Sequence, residues 1–295
     1  MSIKIAGVSK KYKKGKLALD NVNLEVGKGM FGLLGPNGAG KSTLIRILAS
    51  LDEPTSGRVE INGLDVVGKR QEVRKMLGYL PQDFRFVPPV STWDFLDYCL
   101  TLSSGLKKKE RNALIEEMLR EVALYEVRKK RADKLSGGMK RRLGIAQALI
   151  HQPSIIIVDE PTTGLDPDER IRFRNLITKV CQKEVTVLLS THIVGDISST
   201  CTDLAILNQG HIEFQGSPKD MTALAAGHVW RMDVGMEGLE EIKHKYQVIS
   251  TMPMENGWQV EVVAEELDGH TGEFIPPNLE HAYVYFMECR ERIAV

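Results

Sequence analysis

The run Gly35-Pro36-Asn37-Gly38-Ala39-Gly40-Lys41-Ser42 places three glycines ahead of a Lys-Ser pair. Glycines at this spacing let the backbone curl until successive N–H groups point at one anion. The apolar stretch Met30–Leu34 precedes the run, and apolar residues at helical spacing follow it over Ser42–Leu51. A strand, a glycine turn and a helix in that order add the positive end of the helix to the same point. On this reading Lys41 neutralises the β- and γ-phosphates of a nucleotide, and Ser42 gives an oxygen to Mg²⁺. A second element would serve that site. The continuous apolar run Ile155–Val158 ends in Asp159-Glu160. A carboxylate closing a buried strand beside a phosphate loop suits control of Mg²⁺, the role expected of Asp159. Glu160 is the candidate general base that polarises water.

Leu135-Ser136-Gly137-Gly138-Met139 carries a further anion site. Its Gly-Gly pair directly precedes the helix expected over Lys140–Ile150. That helix N-terminus can hold a phosphate, with the Ser136 hydroxyl added. One nucleotide has little use for two such cradles from one chain. Two chains paired head to tail do, each phosphate loop facing the other chain's Ser-Gly-Gly.

The elements that must position these residues read as α/β. Ile3–Ile5, Asn21–Val26, Met30–Leu34, Arg58–Ile61 and Leu77–Leu80 read as strands. Between about residues 92 and 150 the pattern turns helical, with Leu114, Ile115, Met118, Leu119 and Val122 on one face. Ile155–Val158 and Val185–Leu189 are continuous runs of the kind buried on both faces of a parallel sheet. Asp168–Val180 between them is helical. A boundary is expected near Pro218 and Ala223–Gly227, separating residues 1–222 from a small α+β appendage at 223–295. There a strand (His228–Val234), a helix (Leu239–Tyr246), a hairpin turning at Asn256-Gly257 and a final helix capped by Asn278 are expected.

Composition narrows the function classes. Of 295 residues 42% are hydrophobic and 26% charged, which excludes a disordered chain or a disulfide scaffold. Net charge is zero, yet Ala225 onward holds 5 Lys/Arg against 13 Asp/Glu, so −8 there offsets +8 in residues 1–224. Two units with different tasks are implied. The basic clusters Lys10–Lys16 and Arg128–Arg131 are read as solvated surface, and no nucleic acid partner is expected. No apolar run is long enough to cross a bilayer. Cys99, Cys181, Cys201 and Cys289 form no CxxC pair and are expected to be reduced thiols of an intracellular protein.

Over roughly residues 1–220 the chain resembles the nucleotide-binding subunit of an ATP-binding cassette (ABC) transporter. The phosphate loop matches at Gly35–Ser42, with Thr43 following, and the acidic strand end matches at Asp159-Glu160. The Leu-Ser-Gly-Gly-Gln signature matches at Leu135–Gly138, with Met139 in place of Gln. The resemblance implies a P-loop NTPase core with an antiparallel β subdomain and a helical subdomain. It implies that Gln82 senses Mg²⁺ and the attacking water, and that Gly164-Leu165-Asp166 crosses a dimer interface. His192 would contact the γ-phosphate and Tyr12 would stack on adenine. The segment Pro276–Met287 is similar to the end of an exporter-like subgroup whose membrane subunits are separate chains.

These likenesses imply an ATPase that works as a pair, bound to a transmembrane permease at the cytoplasmic face of the membrane. The motifs of both half-sites are present in this one chain, which is consistent with a homodimer having two competent sites; a pairing of two different intact chains is the alternative. A cassette ATPase acting on ribosomes or DNA is the alternative. Phe84, Phe86, Val87, Pro88 and Trp93 form an apolar concentration expected to meet the membrane partner, or to tuck against the helical insertion.

Overall fold

The computed structural model describes residues 2–13, 15–84, 90–181 and 185–293, with side chains described as far as Glu288. It divides into two units, Met1–Gln215 and Gly216–Val295. The first unit opens with strands β1 (Ile3–Lys11), β2 (Leu17–Val26) and β3 (Met30–Leu34), then helix α1 (Lys41–Leu48). Next come β4 (Ser56–Ile61), β5 (Leu64–Asp65), α2 (Arg70–Met76) and β6 (Leu77–Leu80). Three helices follow, α3 (Thr92–Ser103), α4 (Lys108–Glu121) and α5 (Gly137–Leu149). The unit closes with β7 (Ile155–Asp159), α6 (Pro167–Cys181), β8 (Thr186–Thr191), α7 (Val194–Thr200), β9 (Asp203–Asn208) and β10 (His211–Gly216).

Two sheets result. The first is antiparallel in the order β2-β1-β4-β5. It buries Ile3, Ile5 and Val8 on one face of β1 while Lys4 stays exposed, the alternation of a half-covered sheet. The second runs β10-β9-β3-β8-β7-β6, and its strands β9, β3, β8, β7 and β6 are parallel. Every residue of β3, β7 and β8 is buried, which is why these strands are largely apolar; the buried polar residues Asp159, Ser190 and Thr191 stand at the carboxyl ends of β7 and β8. Helix α1 sends Leu44, Ile45, Ile47 and Leu48 into the core shared with Ile3, Leu24, Val59 and Ile157. The helices α3, α4 and α5 bury Leu96, Leu100, Ile115, Leu119 and Leu143 in a core of their own.

Parallel pairing decides where the chemistry falls. Leu34 lies opposite Thr191, and Asp159 lies opposite Ser190. The carboxyl ends of β3, β7 and β8 therefore finish side by side, the place where open α/β sheets take their ligands.

Several boundaries differ from the sequence reading. Helix α5 begins at Gly137, three residues before Lys140, because Ser136 caps it by accepting from the Met139 N–H at 3.3 Å. Gly137 and Gly138 thus form the first turn of the helix rather than preceding it. Helix α1 stops at Leu48, since Ser50 turns into the left-handed region at φ 56°. Phe84 meets Phe95 edge-on at 6.0 Å between ring centroids, and Trp93 packs on the helical core. Phe86, Val87 and Pro88 lie outside the described residues.

The second unit holds α8 (Pro218–Ala223), β11 (Val229–Val234), α9 (Leu239–Lys245), β12 (Gln247–Met254), β13 (Gly257–Val263), β14 (Glu273–Phe274) and α10 (Leu279–Ile293). Its sheet is antiparallel in the order β12-β13-β11-β14. Helix α8 packs on α10 within this unit, so the division falls ahead of α8 and not at residue 222. The hairpin pairs Met254 with Gly257, which makes Glu255-Asn256 the two-residue turn, one position earlier than expected. Gly257 instead serves β11: a Cβ there would stand 2.1 Å from the Val234 carbonyl oxygen. Among the described residues no helix is long and apolar enough to cross a membrane.

Candidate active site

The Gly-rich run leaves the end of β3 and turns into α1. Gly38 and Gly40 sit at φ 84° and 110°, conformations that side chains disfavour. Gly35 has φ in the ordinary range but no room, since a Cβ would lie 2.1 Å from the Leu207 carbonyl oxygen on β9. The Ala39 N–H closes the loop on the Pro36 carbonyl at 3.2 Å, and the buried Ala39 side chain anchors it. No side chain caps α1, and its first turn holds no acidic residue. The first N–H groups of this helix are therefore left for a ligand, with the helix dipole favouring an anion.

A cavity of about 310 Å³ opens over this turn, lined by Asn37, Gly38, Gly40, Lys41, Ser42 and Thr43. Gln82 and Glu160 close one side, and Tyr12, Lys16 and Ala18 the other. The Tyr12 hydroxyl is 3.4 Å from Thr43 Oγ1, and its ring is the aromatic face at the lip. Lys41 is 4% exposed, and its Nζ donates to the carbonyls of Gly35 at 2.8 Å and Pro36 at 3.1 Å. It also lies 3.5 Å from Glu160 Oε1.

Glu160 gathers the rest. Its Oε2 accepts from Gln82 Nε2 at 3.2 Å and from Thr163 Oγ1 at 3.3 Å. His192 Nδ1 approaches the same oxygen to 3.2 Å, off the hydrogen-bond line, and remains without a hydrogen-bond partner. The Glu160 backbone is left-handed at φ 44°, a conformation that costs a non-glycine residue about 1–3 kcal/mol. Bonds from its N–H to the Ser190 carbonyl at 3.0 Å and to Ser190 Oγ at 3.2 Å hold it there.

Asp159 is 3% exposed, and its Oδ1 accepts from the Ser190 hydroxyl at 2.5 Å. Burial pushes its carboxyl above the ordinary carboxylate range, and neighbouring Glu160 adds to the rise. Hydrogen bonds from the Ser190 and Ser42 hydroxyls and the charge of Lys41 pull the other way without cancelling it. A buried carboxylate so placed is short of positive charge.

The structure brings Tyr12, the Gly35–Thr43 loop, Gln82, Asp159, Glu160 and His192 to one place. It does not bring Ser136, Gly137, Gly138 or Asp166 to that cavity within the chain. Ser136 and Gly137 are exposed, and apart from its chain neighbours and its own helix backbone nothing lies within 4 Å of the place where a Gly137 Cβ would stand. Asp166 is exposed too, its Oδ1 taking the Glu169 N–H at 2.9 Å. Sequence reasoning missed Lys16, which belonged to a cluster read as surface. It also missed Thr163, three residues after Glu160 in the turn that follows β7, and Ser190, for which only the pairing register of β7 and β8 supplies a signal.

A family model for ABC transporters matches residues 19–163. Over 271 residues the chain is 35% identical to an uncharacterised ABC transporter ATP-binding protein, YxlF, of Bacillus subtilis, covering 92% of this chain and 88% of that one. The chain belongs to the ABC transporter ATP-binding family. It is 31% identical to the Nod factor export ATP-binding protein I of Rhizobium meliloti, over 96% of this chain and 87% of the relative. The dimeric ATP-binding cassette MJ0796, in a post-hydrolysis state bound to ADP and Pi, superposes with a TM-score of 0.68 at 28% identity. That match covers 73% of this chain and 98% of the cassette. The ABC ATPase fold expected from the sequence is present, and the protein is an ATP-binding, ATP-hydrolysing transporter subunit. The transporter role prevails over action on ribosomes or DNA. Relatives named for import are also among the matches.

Proposed function

We propose that two copies of this chain form the ATPase motor of an exporter whose membrane-spanning permease is a separate chain, docked at the cytoplasmic face of the membrane. The observation that carries the ATPase half of this reading is Glu160, a buried carboxylate shared by Lys41, Gln82 and Thr163 at the mouth of the phosphate loop. Lys41 and the N–H groups of Gly38–Thr43 take the phosphates, and Tyr12 stacks on the adenine. Glu160 accepts the proton of the attacking water, oriented by His192 and Gln82.

The oxygen donors of Ser42, Gln82 and Asp159 suit a hard cation, and the raised Asp159 carboxyl marks a place where positive charge is wanted. Mg²⁺ held there would supply charge neutralisation to the β- and γ-phosphates. In the pair, Ser136, Gly137 and Gly138 of one copy cover the phosphates held by the other, and Asp166 lies at the interface. The exposure of Ser136, Gly137 and Asp166 in the single chain, and the separation of all four residues from its own cavity, support this reading. Export as the direction rests on the likeness to the Nod factor export relative, a match that spans 96% of this chain and 87% of the relative.

The test is Glu160→Gln in the full chain. Loss of a general base costs roughly 10²–10⁴-fold in turnover. ATP affinity should persist, and size-exclusion chromatography with Mg-ATP should show a trapped dimer. Purification of that variant from detergent-solubilised membranes should recover a multi-span protein in fixed ratio. Turnover within threefold of wild type would remove Glu160 as the base, and recovery without any membrane protein would refute the permease partnership.

A further inference from the structure

The helix α5, capped by Ser136, carries two consecutive arginines that point to different places. Arg142 reaches the end of α4, donating from Nη1 to the carbonyls of Val122 at 3.1 Å and Ala123 at 3.0 Å. Arg141 reaches into the active site from behind. Its Nε donates to the Pro161 carbonyl at 3.0 Å. Nη1 donates to the carbonyls of Pro81 at 2.9 Å and Gln82 at 3.0 Å. Nη2 donates to the carbonyls of Asp159 and Glu160, each at 3.1 Å.

A guanidinium has five N–H groups, and here each has its own backbone carbonyl. All five acceptors belong to two segments. One carries Gln82 at the end of β6, and the other carries Asp159 and Glu160 at the end of β7. Among the described residues no carboxylate pairs with the cation directly. Burial lowers it to about 10 against the raising pull of Asp159 and Tyr79, so it stays charged at neutral pH. The carbonyls compensate that charge, and charge-assisted bonds are about twice as strong as neutral ones.

We propose that Arg141 is the positioning residue that fixes Glu160 and Gln82 relative to each other and ties both to the Ser136 end of α5. The strained Glu160 backbone is held at its N–H by Ser190 and at its carbonyl by Arg141. The main chain on which Gln82 stands is held by the same side chain, and this sets the 3.2 Å contact between Gln82 and the Glu160 carboxylate. Arg141 sits five residues after the helix cap, about 7.5 Å along the axis. A displacement of this helix end is therefore transmitted to the catalytic carboxylate through one planar group. Lysine cannot substitute, because its three N–H groups radiate from one atom and cannot span both segments.

This inference rests on Glu160 acting as the base, and its test separates the two. Wild type, Arg141→Ala and Arg141→Lys full-length chains are compared for steady-state ATPase and for equilibrium nucleotide affinity. Lys41 and the phosphate loop make no bond to Arg141, so affinity should stay within about twofold. A carboxylate displaced by about 1 Å costs on the order of 100-fold, and that loss is expected in kcat for both variants. Guanidinium chloride at tens of millimolar should restore part of kcat in Arg141→Ala, while equal sodium chloride should not. Unchanged kcat, affinity lost together with kcat, or no response to guanidinium would each overturn the proposal. Arg141→Gln guards against misfolding: if it and Arg141→Ala both fail to fold, the role is structural and the proposal is wrong. Absence of hydrolysis by the wild type would refute the ATPase reading itself, a failure visible before any variant is compared.

Discussion

Replacing Ser190 by Ala removes one hydroxyl from the floor of the site and tests how the buried Asp159 is held. Ser190 is fully buried, and its Oγ donates to Asp159 Oδ1 at 2.5 Å. The same oxygen accepts from the Glu160 N–H, but that N–H keeps the Ser190 carbonyl at 3.0 Å in the variant, so the main loss is the bond to the carboxylate. A hydrogen bond to a charged, buried group is worth about 1.5–3 kcal/mol. In a unit of this size each kcal/mol moves the melting temperature by about 2–4 °C, so a fall of roughly 3–12 °C is expected at pH 7.5.

The pH dependence has a definite sign. The folded Asp159 carboxyl is raised, chiefly by burial, so the folded state binds its proton more readily than the unfolded chain does. Its contribution is then most favourable at acid pH and declines as pH rises through the unfolded value towards the folded one. The Ser190 hydroxyl is one of the groups that opposes the rise, and its removal enlarges the penalty only where Asp159 is ionised. Differential scanning fluorimetry of the variant and wild type should show a wide gap at pH 7.5 that narrows on acidification. The acid limb of the ATPase profile should move to higher pH in parallel. A gap that is equal at both ends of the range, or absent at pH 7.5, would refute the reasoning.

Gly35→Ala places a Cβ 2.1 Å from the Leu207 carbonyl oxygen, so β3 or β9 must shift; overpacking of this kind costs about 1–3 kcal/mol, and a nucleotide titration should show affinity down by at least tenfold. Tyr12→Ala should weaken ATP by about tenfold, in line with roughly 1–3 kcal/mol for a base stacked on an aromatic ring, whereas Tyr12→Phe should titrate like wild type. In the second unit, Asn278 Oδ1 accepts the His281 N–H at 2.9 Å and His281 Nδ1 accepts the Asn278 N–H at 3.3 Å, a reciprocal cap on α10. Asn278→Ala should cost about 1 kcal/mol, read as amide hydrogen exchange roughly fivefold faster in the first turn of α10.

What could be read in the residues was whatever is local or periodic. The β-branched run Ile155–Val158 announces a strand covered on both faces, and β7 is buried at every position. The glycines of Gly35–Gly40 announce a turn that no side chain tolerates, and their φ values and close contacts bear this out at Gly35, Gly38 and Gly40. The start of α5 was misplaced because two glycines weaken helix propensity, while the Ser136 cap that outweighs them acts three residues away. The hairpin turn slipped by one because Asn256-Gly257 satisfies a local rule that the close approach of Gly257 to Val234 overrides.

The rest was illegible for a physical reason that Arg141 makes concrete. A sequence displays side chains, and pairings between side chains of opposite charge can be guessed from it. Backbone carbonyls are the same at every position, so a cation that is compensated by five of them leaves no complementary residue to find. The acceptors at Pro81 and Gln82 lie about 60 positions from Arg141, and those at Asp159, Glu160 and Pro161 about 20 positions in the other direction. Only the parallel order β7-β6 at one end of the sheet makes these neighbours. The same argument covers Ser190, which meets Asp159 because β7 and β8 pair in a register that no pattern within either strand encodes. Residues that touch the phosphates stand in motifs, whereas residues that hold those motifs to one another are specified by topology.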